Sequence, residues 1–192
     1  MSNVAVPEPR HGRYTPADLA ATPDDGQRYE LIDGALIVSC SPIPLHQLAA
    51  GRLCNLLNAA APSGLEAVCT IDVRCGPDTV LVPDVVMLLS SVIDEPDCVV
   101  VADHVALVAE IASPSTVRMD RVLKSRLYAD AGIPAYLLFE LEGPTVTWFA
   151  PSASGGPERR GMASGEEVLR VTEPFEVPIV PAELVRRARR QQ

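Results

Sequence analysis

Aromatic side chains make up only 4% of this 192-residue chain, and no RNA-binding signature accompanies them, so a platform that stacks bases is poorly supported. Basic residues are also scarce: 16 Lys and Arg stand against 25 Asp and Glu, a net charge of −9. Such a chain has no overall attraction for nucleic acid, and a role there needs a local basic patch or bound cations. No uninterrupted apolar run approaches the roughly 20 residues of a membrane span. The first residues lack the basic-then-apolar pattern of a secretory signal. The cysteines (Cys40, Cys54, Cys69, Cys75, Cys98) are odd in number and never spaced as CxxC. Thiolate-metal and redox sites are therefore weak readings, and reduced, mostly buried cysteines fit a soluble cytoplasmic protein. A GxxxxGKS/T phosphate loop and a dinucleotide fingerprint are missing. Ser39 or Ser41 with His46 lacks a nucleophile elbow, which disfavours serine hydrolysis. The basic tail Arg186, Arg187, Arg189 and Arg190 reads first as a solvated helix end complementing the macrodipole, ahead of a DNA contact.

What is present suffices for a sizeable core. Hydrophobic residues reach 47% and charged residues 21%, which are globular values, and the length is that of one ordinary domain. Pro7, Pro9, Pro16 and Pro23 among polar residues make 1–27 an N-terminal arm, ahead of one domain over 28–192. Thr15-Pro16 can cap a short helix. Asp33-Gly34 between Tyr29–Ile32 and Ala35–Val38 signals a hairpin. Apolar residues at 45, 48, 49, 53, 56, 57 and 60 form a helical stripe, closed by Pro62 to Gly64. Glu66–Val73, Val80–Val82 and Val85–Leu89 read as strand segments, Ser90 to Cys98 as an exposed loop, and His104–Ile111 as another strand. Ser113 to Thr116 offers caps for a helix over about 117–131, ended by Gly132 and Pro134. Tyr136–Phe139 and Val146–Phe149 pair as a second hairpin across Gly143-Pro144. Residues 151–165 read as a surface loop or hairpin tip, followed by a strand near Val168–Val171 and a short helix from Pro181. The order predicts an α/β fold: a mixed sheet flanked by helices, with N-terminal and C-terminal hairpins added.

Two acidic residues interrupt the apolar runs. Asp84 follows Pro83 at the mouth of one strand, and Glu110 sits near the end of the next. Burying an unpaired carboxylate costs several kcal/mol, so such groups pair, protonate or hold a metal. Mg²⁺ commonly takes only one or two protein carboxylates, with water and phosphate completing its oxygen shell. Asp84 and Glu110 on adjacent strands, with the Ile111 carbonyl as a further ligand, meet that need. Lys124 lies four residues after Asp120 and four before Tyr128, so these three share a helical face, while Val122, Leu123 and Leu127 can face the core. A lysine looking back at the sheet can orient water or offset negative charge. The competing reading is an Asp120–Lys124 pair on the helix surface.

Pro83-Asp84, the run from Glu110 to Thr116, Asp120, Lys124, Tyr128, Gly132-Ile133-Pro134 and Tyr136 together resemble the restriction-endonuclease family called Uma-two, of the PD-(D/E)XK nuclease superfamily. Upstream, Tyr29 to Gly34, Ser41-Pro42 and His46 fit the same family's opening, and the resemblance spans about residues 28–150. It implies a restriction-endonuclease-like core, metal-dependent phosphodiester hydrolysis with DNA as substrate, and Mg²⁺ or Mn²⁺ held by Asp84 and Glu110. Ala112 departs from the superfamily pattern, which places lysine two residues after the glutamate; the resemblance implies that Lys124 takes over that part. It also suggests Glu30 as a third acid, against the alternative of a strand-edge glutamate facing solvent. His46 can act as acid/base, ligand or structural partner, and Asp120 can orient Lys124. Tyr128 and Tyr136 fit core packing better than substrate contact. The competing function is a catalytically inactive nuclease-fold protein that binds DNA or protein, favoured by the −9 charge and Ala112. A homodimer is open, because double-strand cutting needs two sites.

Overall fold

The computed structural model describes residues 6–9, 11–39, 41–114 and 116–186. Helix α1 (Pro16–Ala20), opened by a Thr15 capping box, leads into a hairpin of β1 (Arg28–Ile32) and β2 (Ala35–Ser39). Asp33 and Gly34 both take positive φ, 48° and 78°, as the tight turn demands. Helix α2 (Pro44–Ala60) precedes β3 (Leu65–Cys69), β4 (Asp72–Gly76), β5 (Thr79–Leu81), β6 (Val85–Leu89), β7 (Val99–Val101) and β8 (Val105–Ala112). A π-helical segment (Met119–Lys124) runs straight into α3 (Ser125–Asp130). The chain continues through β9 (Tyr136–Glu140), β10 (Thr145–Pro151), β11 (Pro157–Ser164), β12 (Leu169–Val171), β13 (Val177–Ile179) and α4 (Pro181–Val185).

Six strands form a mixed sheet in the order β11-β10-β9-β8-β6-β3, and five form a second in the order β2-β1-β5-β4-β7. β12 and β13 make a small ribbon. Strand β8, parallel to β9 and antiparallel to β6, is central and, Glu110 apart, apolar on both faces. Leu107, Ala109 and Ile111 join Val85, Met87, Leu137 and Phe139 against Ala49, Leu53 and Leu57 of α2. Each fully buried leucine of that layer contributes about 1.5–3 kcal/mol. Val86, Leu88, Val108, Ala112 and Leu138 face the other way, onto Val73, Leu81 and Val100 of the second sheet and Tyr128 of α3. By strand alternation, Asp84 and Glu110 belong to this second face, between the sheets.

Several expectations change. The run expected over Glu66–Val73 breaks at Thr70, whose φ of 56° turns the chain, so that β3 pairs with β6 and β4 with β5 and β7. Residues 151–165 are mostly strand: β11 is an edge strand that pairs along β10 with Ala163 as its buried residue, and the loop shrinks to a short tip closed by a Ser152–Gly156 backbone bond. Val122 and Leu123 are exposed instead of facing the core. The inward face of that helix is polar, because Lys124 and Tyr128 donate to carboxylates on the strands and Asp120 lies beside Lys124. Cys69 and Cys98 are exposed, and Cys54 and Cys75 are only half-buried, so the described cysteines are not core residues. Arg186 pairs with Glu166; Arg187, Arg189, Arg190, Cys40 and Ser115 lie outside the described residues. Among the described residues no helix is long and apolar enough to cross a membrane.

Candidate active site

Sheet register delivers the two strand carboxylates to one place. Val85 lies opposite Ala109 across β6 and β8, so Asp84, one residue before β6, stands opposite Glu110 on the same face. The Ile111 amide donates to Asp84 Oδ2 at 2.8 Å. β1 adds Arg28 and Glu30 from alternate positions, while Tyr29 and Leu31 pack the other way with Leu19 and Val80. Arg28 Nη1 donates to Asp84 Oδ1 at 2.7 Å, and His46 Nε2, from the first turn of α2, lies 3.1 Å from Oδ2. Lys124 Nζ donates to Glu110 Oε1 at 2.9 Å and to Glu30 Oε1 at 2.8 Å, and lies 4.0 Å from Asp120 Oδ1. Tyr128 donates to Glu110 Oε1 at 2.6 Å, and the Val82 amide donates to Glu30 Oε1 at 2.8 Å.

The π segment shapes the helical side of the cluster. The Ser125 N–H reaches back five residues to the Asp120 carbonyl, which also accepts from the Tyr136 hydroxyl at 3.0 Å. Such segments recur at functional sites because the extra residue in the turn re-aims side chains. Lys124, the only lysine in the chain, ends this turn.

Glu30, Asp84, Glu110, Asp120 and Lys124 are each at most 5% exposed, so their charges must settle among themselves. Four carboxylates share two permanent cations, Arg28 and Lys124, and the ionised cluster is short of positive charge. Burial, against the pull of Lys124 and with the charges of Asp84, Glu30 and Asp120 adding to it, holds Glu110 up at about 8. Burial also raises Asp120, against the pull of Lys124. For Asp84, burial acts upward, but the His46 hydrogen bond and charge, the Arg28 charge and the Ile111 amide outweigh it, and its carboxyl sits below the ordinary range. Burial likewise opposes a charged Lys124, yet Glu110, Glu30 and Asp120 prevail and hold the amine protonated. Glu110 and Asp120 are thus the carboxyls whose surroundings favour a proton.

A cleft of about 480 Å³ opens over the cluster, with the exposed Val38 and Ile43 at its rim. Among the described residues no three His, Cys, Asp or Glu side chains are gathered as a metal ligand set. The oxygens on offer are two carboxylates and a main-chain carbonyl, a hard donor set of the kind Mg²⁺ accepts when water and phosphate complete its shell. Oε2 of Glu110 carries no hydrogen bond among the described residues, since its partners meet Oε1. The Ile111 carbonyl points to the same strand edge as its amide, beside Asp84, where β6 has not yet begun. These atoms fit a divalent cation, although Asp84 is already engaged on both oxygens.

The predicted residues Asp84, Glu110, Ile111, Lys124 and Glu30 all line this one cleft. Burial removes two alternatives: Glu30 does not face solvent, and Asp120–Lys124 is not a surface pair. Tyr136 is fully inside, stacked on Phe149 at 5.8 Å, as core packing requires. Among the described residues no Ser–His pair forms: Ser41 donates to the Gly26 carbonyl and His46 meets Asp84. Arg28 was the residue not anticipated. Its signal lay in strand alternation, two positions before Glu30 on the same face.

The chain matches the model of the Uma2 family, described as “Putative restriction endonuclease”, over residues 16–181. The chain belongs to the Uma2 family. A crystal structure described as a “putative nuclease belonging to DUF820” from Anabaena variabilis is similar, with TM-score 0.73 at 16% identity, covering 89% of this chain and 97% of that one. That likeness establishes the fold, an α/β restriction-endonuclease-like architecture. No curated protein matches this chain. In this Uma2 chain Ala112 is buried in the layer between the sheets, and the amine beside Glu110 comes from Lys124 on the following helix.

Proposed function

We propose that this Uma2 protein is a divalent-metal-dependent DNA endonuclease of the PD-(D/E)XK type, hydrolysing phosphodiester bonds. The observation that carries this reading is the meeting of Asp84, Glu110 and the Lys124 amine at one cleft, on a fold of nuclease type. Mg²⁺ or Mn²⁺, held by Asp84, Glu110 and the Ile111 carbonyl, would polarise the phosphate and make bound water a better nucleophile. Lys124 holds its proton against burial and so places fixed positive charge where negative charge develops on the phosphate oxygens. Glu30 and Asp120 hold that amine in place, Tyr128 orients Glu110, and His46 with the Ile111 amide orients Asp84. A homodimer would bring two such sites to a duplex.

One observation favours a second reading, a catalytically inactive module that binds DNA or protein: Asp84 is capped by Arg28, His46 and Ile111 together. Cleavage of supercoiled plasmid in Mg²⁺ or Mn²⁺ separates the two. The nuclease reading expects Asp84→Ala and Lys124→Ala each to lose about 100-fold or more in rate. Equal cleavage by wild type and Asp84→Ala would sink it.

A further inference from the structure

Arg28 is tied to the cluster by one half of its guanidinium. Nη1 meets Asp84 Oδ1 at 2.7 Å and the Val82 carbonyl at 3.4 Å, whereas Nε and Nη2 carry no hydrogen bond among the described residues. The side chain is 19% exposed and stands where the main cleft adjoins a second one of about 300 Å³. In that second cleft Arg28 faces Asp24 and Asp72 with no other cation among the described lining residues, whereas the main cleft adds Lys124 to its four carboxylates. Only from the main cleft does an anion meet a second fixed positive charge beside the guanidinium. A planar fork with a vacant edge suits the paired oxygens of a phosphodiester.

The same bond sets Arg28 against a cation. A fixed positive charge 2.7 Å from Asp84 Oδ1 both fills a lone pair of a candidate ligand and repels a divalent ion nearby. We propose that Arg28 is a latch shared between Asp84 and a substrate phosphate: it occupies Oδ1 in the free protein, and an arriving phosphodiester draws it away and leaves that oxygen to the metal. This rests on the nuclease reading and adds to it an order of events. Because binding couplings are reciprocal, DNA then strengthens metal binding and metal strengthens DNA binding.

Two binding measurements without turnover test the latch. Mn²⁺ affinity of the DNA-free protein is read by electron paramagnetic resonance of the free ion, and affinity for a labelled DNA duplex in chelator by fluorescence anisotropy. Arg28→Gln is expected to tighten Mn²⁺ about tenfold, the scale on which groups around metal ligands act. It is also expected to weaken the duplex about tenfold, through loss of one charge-assisted contact. Arg28→Lys, which keeps the charge without the fork, falls between in both and carries the test if Arg28→Gln melts too low. A purely structural role would move the two affinities in the same direction. Unchanged or weaker Mn²⁺ binding in a folded Arg28→Gln, with wild-type binding still lost in Asp84→Asn, overturns the latch alone. Mn²⁺ binding absent from wild type, or equal in wild type and Asp84→Asn, overturns the metal site and the latch with it.

Discussion

Lys124 joins β1, β8 and its own helix through one amine, so its removal should be felt well beyond catalysis. Lys124→Met leaves Glu30 and Glu110 buried around an apolar tip, and breaking a buried pair in this way costs about 3–5 kcal/mol. Urea denaturation at pH 8 should show a loss of that size. Glu110 gives the wild type its own pH dependence. It keeps a proton in the fold up to about 8, against an ordinary 4.5, so between those values the folded form binds more protons than the unfolded one. Stability of the metal-free protein should therefore fall as pH rises through that window. Asp84, shifted down from 3.8, has the opposite sign, and its contribution is lost only as pH drops below that value. Melting in chelator from pH 5 to 8 checks this, and Glu110→Gln should flatten the curve; a rising wild-type curve would contradict it. The two strand carboxylates were legible because acids are costly in apolar runs. Arg28 was not, since an arginine opening a strand ordinarily lies in water.

At the scale of elements, the helix carrying Lys124 inverts the usual pattern: ionisable residues face in, and Val122 is 68% exposed. Val122→Ser should accordingly change stability by no more than about 0.5 kcal/mol. Leu53→Ala, on the conventionally amphipathic α2, should cost about 2–5 kcal/mol. Thermal unfolding of the two variants side by side checks the contrast, and equal losses would mean Val122 is covered. α2 could be read from its apolar stripe and the first hairpin from Asp33-Gly34, because each leaves a local, periodic or turn-specific signal. The π segment leaves none: its Asp120 carbonyl takes a second donor from Tyr136 on a strand, a contact that no local pattern announces. β11 was hidden for a related reason. An edge strand with Ala163 as its buried residue need not alternate, and Gly155, Gly156 and Pro157 look like loop.

For the whole molecule, charge is the governing quantity. With a net charge of −9 and Arg28, His46 and Lys124 as the basic residues lining the cleft among the described residues, few phosphates can be neutralised by the protein itself. The logarithm of duplex affinity should then fall against the logarithm of salt with a slope no steeper than about −2, since each neutralised phosphate contributes about −0.9. Anisotropy titrations across a salt series in chelator measure it, and a slope several units steeper would place the nucleic acid on a surface other than this cleft. The acidic composition read from sequence carries directly into this expectation, whereas where the few cations gather could be known only once the strands were paired. The scarcity of lysine has a practical side as well. Because Lys124 is unique and buried, lysine labelled with ¹³C at the ε carbon would give a single side-chain NMR resonance, with no assignment required. That nucleus would sit inside the acidic cluster, a spectator of every proton, ion or phosphate that enters the cleft.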